Sequence, residues 1–387
     1  MVVATRKDLA RLPDGGRFIA LDSLRGIAAI GVVLFHMGPL GWIASLPFLR
    51  NGWLMVDFFF VLSGFVIAAS YGERLARGFP RGRFMLLRLG RVVPLHVAAV
   101  LLLSAFELIY VRGVLGERHG LFYFWRGLLL LDGFATRAYN VYAPVSWSIS
   151  VEIVLYAAAA LAFGTGRRGV AFVAAAVALC FAALAFEWNY PVFGRLLQRG
   201  VIGFGIGVAC HALHRRWHPQ VGRWWLTMLE GLSLATVVWL LGAMPLGGRT
   251  MLLTSPIFAV VVLVFARDRG WVSRLLHIRP MVWLGTLSYS IYMLHMLLLR
   301  PLDRAGPALM RAIGRPDLIA DPPGSSGIAT LDLGAGGATV LSLVLIGLVL
   351  AMSAVSFRWL EEPARLWSRD HARRWGAGAA EREALTI

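Results

Sequence analysis

Lysine is almost absent from this chain: Lys7 is the only one, and every other basic residue is arginine. Acidic residues are scarce too, with 21 Asp and Glu against 38 Lys and Arg, so the 387 residues carry a formal net charge of +17. Charged residues make up only 15% of the chain, against about a quarter in soluble globular proteins. That shortage excludes a soluble enzyme of two or three domains, and no soluble-looking stretch exceeds about 40 residues. Cysteine is rare as well. Cys180 and Cys210 both lie inside apolar runs, far from metal-ligand spacing, and read as small buried hydrophobes. There is no Walker loop, no dinucleotide glycine fingerprint and no Gly-x-Ser-x-Gly elbow. An internal repeat is also missing, which weighs against the repeat-built transporters.

What is abundant is apolar surface: 58% of the residues are hydrophobic and the mean hydropathy is +0.69. Runs long enough to cross a hydrocarbon core of about 30 Å recur along the whole chain. They fall at about 19–38, 53–71, 92–111, 144–164, 170–187, 196–214, 225–243, 250–266, 282–300 and 336–357. The expected fold is therefore all-α, a polytopic membrane helix bundle of about ten transmembrane helices. The first run follows basic residues, as in a signal peptide, but it is too long and no small-x-small cleavage site follows, so it reads as an uncleaved first span. With the N-terminus inside, roughly two-thirds of the 38 basic residues fall in inner loops and tails. Both termini are then cytoplasmic, in a multi-pass protein of the cell (inner, cytoplasmic) membrane. The arginines sit in short loops, so anionic lipid headgroups, not nucleic acid, are the expected counter-charge.

The expected layout is a cytoplasmic tail (1–18), a membrane domain (19–360) and a cytoplasmic tail (361–387). The segment "LFYFWRGLLLLDGF" (121–134) is apolar but short, and reads as a re-entrant or interfacial helix on the outer side. Residues 301–335, with Pro316, Pro322, Pro323 and "GSSG", read as an outer loop. "RWLEEPARLWSRDHARRW" reads as an amphipathic stretch on the inner surface.

The polar residues inside the spans need an account, since a charge at mid-bilayer costs roughly 2.5–3.5 kcal/mol or more. In "FIALDSLRGIAAIGVVLFHM" Arg25 and His36 are eleven residues apart. On a helix that places them on one face, separated by a rise of roughly 16 Å. Asp22, three residues before Arg25, is close enough to pair with it. One reading is that Asp22 and Arg25 anchor the helix end by snorkelling while His36 bonds a neighbouring helix. The other is a functional face with a cation at its cytosolic end and a titratable base toward the far side.

Asp57 sits among aromatics in the second span and needs a partner, with Arg or His of the first span the nearest choice. Ser63-Gly64 permits close helix contact there. Arg88 and Arg91, one turn apart at the cytosolic entrance to the third span, are either ordinary positive-inside residues or a phosphate clamp. Ser148 and Glu152 share a face of the fourth span, and Ser288, Tyr292 and His295 share a stripe of the ninth. Tyr289 and Tyr292 also suit an interface belt. His211, His214 and His218 read as solvated residues of a basic loop, with no metal site.

Taken in order, "LDSLRGIAAIGVVLFH", "VDFFFVLSGFVIA", "RLGRVVPL", "SWSISVEIVLY" and "LGTLSYSIYMLH" resemble the successive motifs of the acyltransferase-3 family of integral membrane acyltransferases. The resemblance runs over roughly residues 18–360, in the stand-alone form without an appended hydrolase-like domain. It implies transfer of an acyl group, usually acetyl, from cytosolic acetyl-CoA or another acyl-CoA to a hydroxyl of a carbohydrate or glycosylated metabolite. The family's Arg-then-ten-then-His, Arg-x-x-Arg and Ser-x-x-x-Glu motifs fall on Arg25 and His36, on Arg88 and Arg91, and on Ser148 and Glu152.

Residues and resemblance together point to one mechanism. Arg88, Arg91 and Arg25 hold the donor phosphates, His36 acts as general base or acyl carrier, and Glu152 or Asp57 orients the imidazole or holds the sugar. Ser148, Tyr292, His295 and Asp22 are the expected acceptor contacts. No metal is expected, and self-association of the bundle is left open. Two other classes also fit intramembrane Asp, Arg and His: a proton-coupled transporter or flippase of a polysaccharide precursor, and a non-catalytic partner in a polysaccharide assembly.

Overall fold

The computed structural model describes residues 18–37, 41–44, 46–110, 120–134, 144–188, 194–217, 219–243, 251–320 and 330–384. The expected N-terminal tail, apart from Phe18, and His218 lie outside the described residues. The helices are α1 (Ile19–His36), α2 (Met55–Ile67), α3 (Arg81–Tyr110), α4 (Gly120–Leu128), α5 (Ser146–Ala162), α6 (Arg167–Ala185) and α7 (Arg195–Arg216). They continue as α8 (Arg223–Ala243), α9 (Met251–Phe265), α10 (Trp271–Leu276), α11 (Arg279–Ala312), α12 (Gly334–Ser356) and α13 (Glu362–Ala384). Among the described residues nine helical stretches are long and apolar enough to cross a membrane. The shorter apolar α9 brings the set to the ten expected. Helices are the physical solution here because lipid offers no partner to an unpaired backbone group.

Six of these helices close a ring. Neighbours in contact run α1, α2, α7, α5, α3, α11 and back to α1. The remaining helices pack outside it, α6, α8 and α9 against one side and α12 and α13 against the other. Small residues set the closest approaches. A Cβ on Gly26 of α1 would sit 2.6 Å from the backbone of Gly285 in α11, so the two helices meet backbone to backbone. Gly64 of α2 likewise faces the carbonyl of Phe204 in α7, the close contact expected of the Ser63-Gly64 pair.

Several boundaries differ from the sequence reading. Helix α3 begins at Arg81, eleven residues early, so Arg88 and Arg91 lie inside it and not at its entrance. Helix α11 runs through Pro301 and Pro307 to Ala312, so the outer connection starts a dozen residues later than expected. Beyond it Ile319–Ala320 pairs antiparallel with Thr330–Leu331. Helix α4, at nine residues, rises only about 14 Å and is too short to span.

The C-terminal stretch is no separate surface tail. Helix α12 passes through a π turn at Phe357–Glu361 into α13, and α13 packs along α3. The expected domain boundary at 360 falls inside this one continuous rod. Ser368 and Ala372 of α13 are buried, with Ser368 against Gly90 of α3. The outward Trp359, Trp367 and Trp375 suit an interface position.

Glu230 of α8 fastens α8 to α10. Its buried carboxylate accepts from the backbone N–H groups of Gly270 (3.2 Å), Val272 (3.0 Å) and Ser273 (3.2 Å), and from the Ser273 hydroxyl. It thereby caps α10, whose own N-cap residue, Gly270, has no side chain. A Glu230→Ala protein leaves those donors buried without an acceptor. We expect it to unfold at markedly lower temperature, a loss of about 2 kcal/mol or more, while Glu230→Gln keeps part of the cap. Thermal unfolding in detergent with an intrinsic tryptophan readout checks this.

Candidate active site

The ring encloses a cavity that opens at one mouth, with about 820 Å³ of empty space when the solvent at that mouth is included. Five of the six ring helices line it. Arg25 comes from α1, Ser63 from α2, Arg88 and Arg91 from α3, Ser148, Glu152 and Tyr156 from α5, and Ser288, Tyr289 and Tyr292 from α11. Residues from five separate sequence segments thus meet at one place, because each sits on the inward stripe of its helix.

Arg25 is held in a fixed pose. Its Nε donates to Ser288 Oγ at 2.8 Å, its Nη2 to the Gly285 carbonyl at 3.1 Å, and its Nη1 lies 3.4 Å from Asp22. The glycine contact between α1 and α11 is what allows Gly285 O to come within reach. Asp22, expected to touch the acceptor, is thus an ion-pair partner of Arg25. Arg88 lies over the Tyr71 ring at 4.7 Å.

Glu152 accepts from Ser63 Oγ at 3.0 Å and from the Tyr156 hydroxyl, a cluster drawn from α2 and α5. Ser148 and Tyr292 share a hydrogen bond of 2.7 Å, and the Tyr292 hydroxyl also lies 3.2 Å from the Val145 carbonyl.

His36 lies beyond this floor. The Tyr292 ring is 6.2 Å from that of His295, and His295 Nε2 is 3.3 Å from His36 Nδ1. His36 Nδ1 also faces the Val32 carbonyl at 3.0 Å, and His295 Nδ1 faces the Ile291 carbonyl at 3.2 Å. A ring nitrogen against a carbonyl carries the proton, so each imidazole, when neutral, is assigned the Nδ1–H tautomer. The lone pair of His36 is then on Nε2. Neither Glu152 nor Asp57 contacts His36 in this arrangement; the ring beside it is His295, not the expected carboxylate.

Asp57 has a different partner from the one expected. It takes a bidentate pair from Arg199 of α7, Nε at 3.1 Å and Nη2 at 2.8 Å, with both side chains buried. Trp53 and Trp147 cover the guanidinium at 4.6 and 5.3 Å. Asp57 therefore ties α2 to α7 and is not among the residues lining the cavity. Arg199 went unnoticed in the sequence, although an arginine inside "RLLQRGVIGFG" is the same signal as Asp57 itself. Tyr156, one turn after Glu152, was missed as well. His211 and His214 are not in a solvated loop, since α7 extends to Arg216 and both rings stand edge-on to Phe65.

The cavity thus has a cationic end and a carboxylate cluster, and the histidine pair stands beyond its floor. The sequence profile of the acyltransferase domain family matches residues 18–357. The chain belongs to the acyltransferase-3 family. This acyltransferase is 27% identical over 313 residues to the "Putative membrane-bound transacylase BcsY" of Komagataeibacter xylinus, covering 71% of each chain. It is 35% identical over 157 residues to "Protein 2 in picA locus" of Rhizobium radiobacter, covering 36% of this chain and 80% of that protein. No solved structure matches it.

Proposed function

We propose that this membrane acyltransferase moves an acyl group, in the first instance acetyl, from a cytosolic coenzyme A thioester to a hydroxyl of a carbohydrate or glycosylated metabolite at the cytoplasmic membrane. The observation that carries the reading is the series of polar side chains through the bundle. It runs from Arg88, Arg91 and Arg25 past Glu152, Ser288 and Tyr156 to Ser148 and Tyr292, and on to His295 and His36. Guanidinium groups suit the diphosphate of the donor, because they bind phosphate oxygens through paired N–H bonds. The pantetheine arm then follows the face of α1 from Arg25 toward His36, a rise of roughly 16 Å.

At the outer end His36 Nε2 takes the proton of the acceptor hydroxyl, and the oxygen attacks the thioester carbonyl. The tetrahedral adduct expels the coenzyme A thiolate, which leaves with the proton from the imidazolium. His295 fixes the ring and tautomer of His36, the part a carboxylate plays in serine hydrolases. In the covalent variant His36 Nε2 attacks the thioester first and expels the coenzyme A thiolate. The acceptor oxygen then attacks the acyl carbon and displaces Nε2, and its proton goes to the thiolate by way of the freed imidazole. Ser148 and Tyr292 form the floor that thioester and acceptor share.

The test is release of free thiol from acetyl-CoA by the purified protein in lipid nanodiscs, with and without a glycan extract of its host. Release that depends on the extract is the expected result. Absence of release together with undetectable acetyl-CoA binding overturns the reading. A second expectation concerns donor binding. Arg25→Gln removes the charge and breaks the Ser288 and Gly285 contacts, so acetyl-CoA affinity should fall by about tenfold or more. Ser288→Ala removes only one of these bonds and should weaken binding less, as titration in nanodiscs would show.

A further inference from the structure

Two π-helical turns flank the arginine end of the cavity. Ala68–Gly72 follows α2 and carries Tyr71, and Phe357–Glu361 precedes α13 and carries Glu361. Such turns are rare and concentrate at functional sites. The second brings Glu361 inward, where it accepts from Ser290 of α11 and lies in the field of Arg91, Arg25 and Arg365. It also sets the rotation of α13, so that Arg365, Ser368, Arg369 and Ala372 form the stripe turned to α3. Arg369 thereby lies within electrostatic reach of Arg88, Arg365 and Tyr71.

Positive charge exceeds the carboxylates here. Arg83, Arg88, Arg91, Arg365 and Arg369 share this end with Glu361, which Ser290 occupies, with Glu362, which pairs with Arg365, and with Glu152 of the cavity. The buried Nε atoms of Arg83, Arg88 and Arg365 have no hydrogen-bond partner among the described residues. Buried guanidinium N–H groups left unpaired are costly, so an anion that reaches Arg88 from the cavity would gain strong hydrogen bonds there. Beside them stand aromatic faces. Arg74 lies over Phe79 at 4.4 Å and Tyr71 at 5.1 Å, and Arg83 lies over Phe79 at 5.3 Å.

We propose that the C-terminal helix α13 is a wall of the donor mouth, and that Arg365 and Arg369, with Arg88, bind the ribose phosphomonoester at the nucleotide end of coenzyme A. The inference rests on the donor reading above and adds a phosphate subsite outside it, built by a segment the sequence presents as a tail. A phosphomonoester is a compact dianion with three equivalent acceptor oxygens, which two arginines one helical turn apart can clasp from one side.

The experiment compares binding of coenzyme A and dephospho-coenzyme A to the full-length protein in phosphatidylcholine nanodiscs, for wild type and Arg365→Gln/Arg369→Gln. Wild type should prefer coenzyme A by about tenfold, and the double variant should bind both at the weaker level. Arg369→Gln alone, at an exposed position, should lose part of the preference and covers the case in which the double variant fails to fold. A variant that keeps the full preference overturns the proposal. If wild type binds neither form, the donor reading fails and this proposal falls with it. The same titration in phosphatidylglycerol nanodiscs should give the same preference. If wild type shows no preference in either lipid, while native mass spectrometry finds phosphatidylglycerol retained by wild type and not by the variant, the cluster is a headgroup site and the proposal is overturned.

Discussion

A His36→Ala protein should fold, bind acetyl-CoA with near-normal affinity and lose acceptor-dependent acyl transfer by about two to four orders of magnitude. The separation follows from position. His36 is at the outer end of α1, outside the set of residues that line the cavity with Arg25, Arg88 and Arg91. Its removal therefore leaves the donor contacts intact. It is only partly buried and ends its helix, so truncation opens no large core void. His295→Gln should cost less, because Val32 O still holds the His36 tautomer. Its signature should be a shifted pH profile of transfer, not a loss of donor binding. Labelled acetyl-CoA without acceptor separates the two routes: protein-bound label present in wild type and absent from His36→Ala marks the acyl-histidine path. Normal transfer by His36→Ala would remove both.

Asp57→Ala should be the most damaging single change to the fold. It leaves the Arg199 guanidinium buried between Trp53 and Trp147 with no counter-charge, and breaking one side of such a pair costs about 3–5 kcal/mol. The expected outcome is a protein that aggregates on extraction or melts far below wild type. Replacing both partners, as Asp57→Leu/Arg199→Met, should restore most of the lost stability, since an apolar pair of similar volume is often as stable as a buried ion pair. Transfer activity in that double variant separates structural from chemical roles. Recovery of both stability and activity makes Asp57 a strut between α2 and α7. Recovery of stability without activity would return Asp57 to the catalytic set it was first read into.

The fold class was legible because a bilayer imposes so narrow a rule. Apolar runs of fixed length with basic loops between them leave helices as the only outcome, and the ten expected segments correspond to ten apolar helices. Ends were less legible. An apolar window locates a span by its lipid-facing stretch, and so misses the polar turns that extend α3 to Arg81 and α11 to Ala312. Within one helix, spacing was informative: Arg25, Ser148, Glu152, Ser288 and Tyr292 line the cavity, and His36 and His295, on the stripes of Arg25 and Tyr292, meet each other beyond it.

Partners across helices could not be read in the same way. Asp57 required a counter-charge, and the sequence favoured the neighbouring span, yet Arg199 lies 142 residues away and supplies it. His36 required an orienting group, and the ring that approaches it is His295, 259 residues on. Helical periodicity fixes direction around an axis and says nothing of which axis stands opposite. Glycine contacts and the closure of the six-helix ring made that choice. The sequence by itself determined the class of fold, the membrane setting and the inward stripes. The tertiary structure alone decided which stripes face each other, that Asp57 is paired away from the cavity, and that the C-terminal helix stands beside the arginines. The physical reason is range: backbone periodicity acts over a few residues, while pairing of buried charges is settled only when distant helices pack.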